Sequence, residues 1–409
     1  MAARAGRIGI AATSAGFAVF ALLYAVQPLL PQLADSFELE PGSASLALSA
    51  ATIAVAVGVV PLAALSELIG RRRVMLGSVI LAVLLAVGCA FAPNFPALLV
   101  LRVLLGLAIA GLPATAMAYL AEELDGTSRG VALGALVAGN SMGGMCGRLV
   151  AGISYDWLGW RGALGLSTAL AVLGALVFAC ALPSSRGSSG SAAEQRPTAR
   201  AILSGLGLAV RAPLLLAQYA VAFLAMGAFV AAYNAAGFRL TSEPLALAPA
   251  IAALVFLAYA AGWVSSPLAG RLAERHGRTP VLLSALGVTV LGAMLTIPDV
   301  VWLIALGLLV FTGGFFAAHA AASGWVGAAA PESARGQASG LYQCAYYAGA
   351  SIGGSVGSAI YGGFGWTALT LVGTGWLVLA GVGVLLGMRG RERSTRSGAT
   401  PQTVPSVRR

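Results

Sequence analysis

The feature that most constrains this chain is its succession of long uncharged runs. Apolar stretches follow one another along nearly the whole sequence, and only 9% of its 409 residues are charged. A water-soluble domain of this size would place far more charge on its surface. A helix of about twenty apolar residues is what crosses the hydrocarbon core of a bilayer. The sequence therefore predicts an all-α integral membrane protein.

Twelve apolar segments can be drawn, and a polar stretch divides them into two groups of six. The segments cover residues 8–35, 43–65, 74–92, 96–120, 131–154, 162–182, 213–238, 247–268, 280–297, 300–326, 337–361 and 367–388. The first is too long for the apolar core of a signal peptide. The composition predicts an N-terminal half (1–182), a flexible linker (183–211), a C-terminal half (212–388) and a basic, disordered tail (389–409).

The arginines predict the orientation in the membrane. All 24 basic residues are arginine. With a cytoplasmic N-terminus, only Arg161 and Arg239 fall in outer loops, Arg102 and Arg148 fall within helices, and all the others lie on the cytoplasmic side. This bias predicts that both termini and the linker are cytoplasmic. Charge confined to loops and the tail favours an anionic lipid leaflet over nucleic acid as the partner.

A short charged motif occurs once in each half. Glu67 stands three residues before a glycine that Arg71 follows, and the same spacing joins Glu274 to Arg278. Each copy predicts a tight turn between membrane helices. The pattern resembles the loop 2-3 signature of the major facilitator superfamily and its repeat in loop 8-9. The resemblance implies two pseudo-symmetric six-helix halves that rock about a site near the membrane midplane.

Other residues repeat at nearly the same offset. Offsets of 206–207 map Gln27 onto Asn234 and Arg129 onto Arg335, and they map the segment ending in Trp160 onto the one ending in Trp366. Several ordered matches at one offset support two halves with the same orientation.

A glycine run in the fifth segment extends the resemblance. Gly139, Gly143 and Gly147 are four residues apart, a spacing that lets another helix approach closely. The run resembles the antiporter motif of exporters in the superfamily, which implies a bend or hinge along the pathway in addition to close helix packing. Residues 139–148, with 24–31 and 315–319, resemble the YnfM-like inner-membrane exporters of the drug/metabolite:proton antiporter group.

Residues 139–143 also fit the G-x-S-x-G pattern of serine hydrolases. That motif requires a strand–turn–helix setting and a histidine partner, whereas this copy lies inside an apolar segment. The four cysteines also lie in apolar runs and have no metal-ligand spacing. We therefore expect no enzyme activity, no cofactor and no metal site.

Charged and titratable side chains in the segments suggest how transport is powered. A buried arginine is costly, so Arg102 and Arg148 are predicted to face the pathway or a partner, although Arg102 could instead snorkel to the interface. No carboxylate lies in the middle of a segment, which disfavours a cationic substrate. We predict that Asp35 takes up a proton when it separates from Arg102. His319 is the alternative, because a histidine titrates near neutral pH, unless it is a packing residue.

Two further groups complete the predicted machinery. Apolar walls with a few polar or aromatic groups suit a small amphipathic molecule. The predicted substrate lining is Gln27, Asn140, Tyr233, Asn234, Phe315, Tyr346 and Tyr347. The predicted cytoplasmic latch is Glu67, Arg71, Arg129 and Glu274.

The resulting hypothesis is a monomeric secondary transporter in a bacterial inner membrane. It would export a small amphipathic molecule by alternating access, in exchange for protons. An importer or uniporter of a neutral or weakly anionic metabolite is the alternative, and a membrane enzyme is the disfavoured one.

Overall fold

The computed structural model describes residues 2–124, 126–183 and 199–398, and this part of the chain is helical throughout with no strand. The helices are α1 (Ala2–Tyr24), α2 (Leu30–Phe37), α3 (Pro41–Ile69), α4 (Arg71–Ala90), α5 (Phe95–Glu123), α6 (Gly126–Ala181), α7 (Ala199–Arg211), α8 (Pro213–Thr241), α9 (Pro249–Ala253), α10 (Ala261–His276), α11 (Arg278–Leu295), α12 (Val301–Ala329) and α13 (Arg335–Gly398). Short 3-10 helices cover Gln27–Leu29, Leu254–Ala260 and Glu332–Ala334.

Within this described part, ten helical spans are long and apolar enough to cross a membrane, and two of them hold two crossings each. Non-helical glycines divide these two, Gly159 in α6 (φ 62°) and Gly365 in α13 (φ 78°). A positive φ costs glycine little because it has no Cβ. The turns at Gly70 and Gly277 also match each other, with φ of 95° and 89°. The repeat in the sequence is therefore also a repeat in backbone geometry.

Two helices extend beyond their predicted ends. α3 continues to Ile69 and α10 to His276, so Glu67 and Glu274 lie on the last turns of helices rather than in loops. The helical backbone continues until a glycine with positive φ ends it, and polar side chains on the last turn extend into water. The prediction, which ended these helices before their charged residues, therefore made them too short.

The linker and tail also contain more helix than their composition predicts. The Ser- and Gly-rich stretch, residues 184–198, lies outside the described residues. The rest of the linker forms α7, where Ala209 is buried and Gly205 lies against the side chain of Gln337. α13 continues to Gly398, because extending an existing helix does not repeat the cost of nucleation. Residues 399–409 lie outside the description.

The glycine stripe of α6 packs against α1. A Cβ at Gly139, Gly143 or Gly147 would collide with backbone oxygens of α1 at each of three successive turns. The two helix backbones are therefore as close as glycine allows, which explains the four-residue spacing. This is the packing role predicted for the stripe; the hinge role stays a proposal.

The two halves meet through α3 and α13. Ser49 donates from Oγ to the carbonyl of Ser351 at 3.0 Å, and Ser351 returns the bond at 2.9 Å. Ser355 adds a 2.8 Å bond to Ser49. Nearer the arginine-rich loops, the Sγ of Cys344 lies 3.7 Å from the carbonyl oxygen of Ala56. The contacts thus run from the middle of these helices toward the end away from the arginine-rich loops.

At the arginine-rich end, the predicted latch residues make no hydrogen bond between the halves in the described part of the chain. Arg71 pairs with Glu122 at 2.5 Å, and Arg129 donates to carbonyl groups near the end of α5; all of these residues belong to one half. Glu67 and Glu274 are exposed. The halves are therefore held together at the opposite end in this conformation.

Candidate functional site

Two interruptions of the membrane helices face each other across the halves. α1 stops at Tyr24, and Pro28, which has no amide hydrogen, lies in the 3-10 turn that follows. In the other half, the 3-10 segment Leu254–Ala260 joins α9 to α10. A 3-10 stretch within a longer helix often marks a functional hinge. Arg148 of α6 lies between the two interruptions.

Arg148 is buried and hydrogen-bonded to uncharged groups. It is 2% exposed, and its Nε donates to Oε1 of Gln27 at 2.6 Å. Its Nη1 donates to the carbonyl of Gly144 at 2.7 Å. Among the described residues, no carboxylate forms an ion pair with it. A buried cation without a compensating carboxylate is costly, and within a membrane segment such a residue is a candidate functional group.

Aromatic rings from both halves surround the guanidinium of Arg148. Its central carbon lies 4.0 Å from the ring centroid of Tyr24, 4.4 Å from that of Tyr259 and 5.4 Å from that of Phe256. Cation–π contacts of this kind stabilise an arginine without neutralising its charge. The positive charge is therefore held in place and is not neutralised by a carboxylate of the described residues.

A directional chain of hydrogen bonds leads from Arg148 to the other half. Arginine can only donate, so its bond fixes which end of the Gln27 amide is oxygen. Nε2 of Gln27 then donates to Oδ1 of Asn234 at 2.7 Å, which fixes the second amide as well. Nδ2 of Asn234 is left as a buried donor with no partner in the described part of the chain. The chain thus ends in a donor that a substrate oxygen could satisfy.

Aromatic side chains of the C-terminal half form an apolar wall beside this chain. Phe229 stacks on Phe315 with ring centroids 4.0 Å apart. The hydroxyl of Tyr233 lies 2.6 Å from Oγ1 of Thr312, so its polar end is satisfied. Rings arranged in this way bury a large apolar area and can accept the flat or apolar part of a ligand.

His319 belongs to a cluster on α12 and α13 that adjoins the aromatic wall. Its Nδ1 lies 2.9 Å from the hydroxyl of Tyr342, and its ring centroid is 4.9 Å from that of Tyr346, which in turn contacts Tyr347. Phe315 stacks on the histidine from the side of the aromatic wall. In the described part of the chain, the hydrogen bond of the His319 ring is made by Nδ1, which donates or accepts according to the tautomer.

Arg102 has a different environment from Arg148. It donates to the carbonyls of Ala47, Leu22 and Leu23 at 2.6, 3.2 and 2.6 Å. The last two carbonyls lie where α1 ends, so they lack the partners that a continuing helix would supply. Arg102 is 2% exposed and does not snorkel to the interface. It stabilises the interruption in α1 rather than lining the site.

The other predicted site residues lie apart from this group. Asp35 is exposed and makes no ion pair with any described residue, so the predicted pairing with Arg102 is absent in this conformation. Asn140 lies on α6 beside Gly16, and its Oδ1 is buried with no hydrogen-bond partner among the residues that the structure describes. Ser141 donates to a carbonyl of its own helix, as a packing serine does.

Sequence reasoning missed the rings that hold Arg148. The absence of carboxylates from the segments was the available signal, because an arginine without an acidic partner requires aromatic faces or carbonyls instead. Nothing in the sequence shows which tyrosines of a distant segment supply those faces.

Comparison with known proteins places the chain among transporters. The family model described as Major Facilitator Superfamily matches residues 12–266 and 242–408. The inner membrane transport protein YnfM of Escherichia coli (strain K12) is 38% identical, covering 94% of this chain and 90% of its own length. The uncharacterized MFS-type transporter YybF of Bacillus subtilis (strain 168) is 35% identical, covering 91% of each chain. A bacterial homolog of the human lysosomal transporter Spinster has a similar fold, with a TM-score of 0.76 at 16% identity, over 94% of this chain and 97% of that one.

Proposed function

We propose a function for this chain, which belongs to the major facilitator superfamily. It exports a small amphipathic molecule, neutral or weakly anionic, in exchange for protons. The match to the family model, the relatives and the similar solved structure confirm the predicted family, the all-α membrane fold and the expectation of a transporter rather than an enzyme. Substrate class, direction, coupling, the monomeric state and cytoplasmic termini belong to the proposal. Export in particular rests on the resemblance of the α6 glycine run to the antiporter motif.

The observation that carries the substrate class is Arg148, a positive charge that rings and the Gln27 amide enclose and that no carboxylate of the described residues pairs with. Electrostatic interactions are stronger in a protein interior than in water. The positive charge of Arg148 therefore attracts a ligand that is an anion or a hydrogen-bond acceptor, and it repels a cation. The adjacent aromatic wall suits the apolar part of the same molecule. A substrate bound between Arg148 and Asn234 would contact both halves, as alternating access requires.

The first prediction concerns charge selectivity. In everted vesicles, neutral and weakly anionic amphipathic compounds should accumulate when a pH gradient is imposed, and permanent quaternary cations should not. Equilibration of the compound across the membrane that does not depend on the gradient would favour the alternative, an importer or uniporter. Robust uptake of a quaternary cation by the wild type would contradict the proposed substrate class.

Proton coupling is proposed to involve His319 rather than the Asp35–Arg102 pair favoured from sequence. His319 is bonded to Tyr342 next to the aromatic wall, whereas Asp35 lies exposed at the end of α2. His319→Gln should therefore lose gradient-driven accumulation and retain substrate exchange without a gradient, because glutamine keeps the hydrogen bond but cannot gain a proton. Asp35→Asn is the matched comparison and should retain both activities; the reverse pattern would restore the Asp35 hypothesis.

The latch at the arginine-rich end is proposed to form in the alternate conformation. The register of the α3–α13 contacts extrapolates to Ala64 and Gly336, which are exposed here. A cysteine pair at these positions should crosslink when that end closes, and Glu67→Ala should reduce the crosslinking while expression persists. Cysteines at Gly42 and Ala359, which are adjacent at the opposite end, are the control and should crosslink in both backgrounds. Unchanged crosslinking and transport in Glu67→Ala would exclude the latch.

A further inference from the structure

A groove of about 570 Å³ lies outside the central site, between α10, α11 and α12. Its walls are apolar and include Leu268, Leu272, Val281, Val288, Val310 and Ala317. Leu268 and Val288 are 50% and 43% exposed, so the groove opens on the face that a bilayer would cover. Gly313 and Gly314 of α12 form the bottom of the groove, where the absence of side chains leaves space. Its shape and chemistry suit a hydrocarbon chain.

One end of the groove is suited to an anion. His276 and Pro280, on either side of the turn between α10 and α11, line this end. Gly277 is the N-cap of α11 and has no side chain that could cap the amides of Arg278 and Thr279, the first two residues of this 18-residue helix; the third, Pro280, has no amide hydrogen. The N-terminus of a helix attracts phosphate through these amides and the helix dipole.

The surrounding charges strengthen this end. Arg271 and Arg275 lie four residues apart on one face of α10, are exposed, and form no ion pair with the described residues. Arg278 begins α11 and donates to the carbonyl of Gly324. Glu274 is the one acidic residue of α10, and it too is exposed. Cationic side chains therefore predominate where the groove meets the arginine-rich side.

We propose that this groove binds one anionic phospholipid from the leaflet on the arginine-rich side. An acyl chain lies between α10 and α11, and the phosphate lies at the start of α11 beside Arg275 and His276. A free phosphate would use only the charged end, and a zwitterionic lipid would gain less from the arginines. The apolar groove and the cationic end adjoin, and a phospholipid contains both matching parts.

Binding there would also act on the central site. The 3-10 segment Leu254–Ala260 leads directly into α10 and carries Tyr259, whose ring contacts Arg148. In addition, Ser266 of α10 bonds to the carbonyl of Phe316 on α12. A lipid that fixes the separation of α10 and α11 would therefore restrict the movement of one wall of that site.

The experiment is native mass spectrometry of the purified full chain after exchange into mixed phosphatidylglycerol and phosphatidylcholine. The wild type should retain one phosphatidylglycerol in preference to phosphatidylcholine. Arg271→Gln combined with Arg275→Gln should lower that preference by about fivefold per arginine. Gly313→Leu fills the groove and should remove retention of both lipids, with an unchanged elution profile as evidence of folding. Arg73→Gln, at the corresponding turn of the other half, is the control and should behave as the wild type.

Three outcomes would overturn the proposal. The first is equal retention of the two lipids by the wild type. The second is loss of preference in Arg73→Gln as large as in the double variant, which would indicate a general effect of charge. The third is displacement of the lipid by inorganic phosphate in the wild type together with normal retention in Gly313→Leu, which would indicate a phosphate site without a chain groove. None of these depends on the transported substrate, so the central site is tested separately.

Discussion

Arg148→Met is expected to abolish transport while the protein still folds and inserts into the membrane. Methionine fills a similar volume among Tyr24, Phe256 and Tyr259, and it leaves no charge buried. Among the described residues, the acceptor that it orphans is Oε1 of Gln27; the carbonyl of Gly144 lies within α6 and keeps its helical partner. A substrate acceptor, by contrast, loses a charged donor worth about 1.5–3 kcal/mol, so transport should fall by at least about tenfold.

The measurement is initial uptake into proteoliposomes, using a substrate identified in the vesicle screen. Arg148→Lys should recover part of the rate, because lysine keeps the charge but not the planar fork that reaches Gln27 and the ligand together. Arg161→Met is the matched control: Arg161 also stacks on a ring, that of Trp160 at 4.1 Å, but lies near the turn at Gly159 and away from the site. Normal uptake by a folded Arg148→Met variant would contradict the assignment of this arginine to the substrate.

Arg102→Met is expected to have the opposite effect, a loss of stability. Its three donors satisfy three backbone carbonyls, two of them at the end of α1, and the side chain is buried. An orphaned buried acceptor costs roughly 1–3 kcal/mol, and the two carbonyls at the end of α1 lose their donor, so the variant should lose roughly 2 kcal/mol or more of its stability. Uptake per folded molecule should change much less than the amount of folded protein.

This prediction is checked by the temperature at which the detergent-solubilised protein leaves its monodisperse elution peak. The midpoint should fall by several degrees in Arg102→Met and by less in Arg102→Lys, which can still donate to some of the carbonyls. Arg148→Met, measured in parallel, should lower the midpoint by less, because it orphans one buried acceptor, Oε1 of Gln27, where Arg102→Met orphans two. A variant at position 102 with an unchanged midpoint and no transport would show that Arg102 acts in the pathway instead.

The sequence by itself determined the features that depend on short stretches of chain. Apolar runs of membrane-spanning length appear as helices, because backbone groups in a bilayer must satisfy one another locally. The turns at Gly70 and Gly277 are equally local, since a positive φ favours glycine whatever surrounds it. The offset of the repeat was also readable, because two similar halves need similar turns.

The tertiary structure alone decided what the polar residues in the membrane do. Arg102 and Arg148 are the same residue type in similar apolar segments, yet one caps the carbonyls of an interrupted helix and the other stands among aromatic rings. Gln27 and Asn234 were matched as equivalents in the repeat, but their direct bond across the halves appears only in the fold. The physical reason is that a buried polar group is defined by its partners, and these partners come from segments far away in the chain.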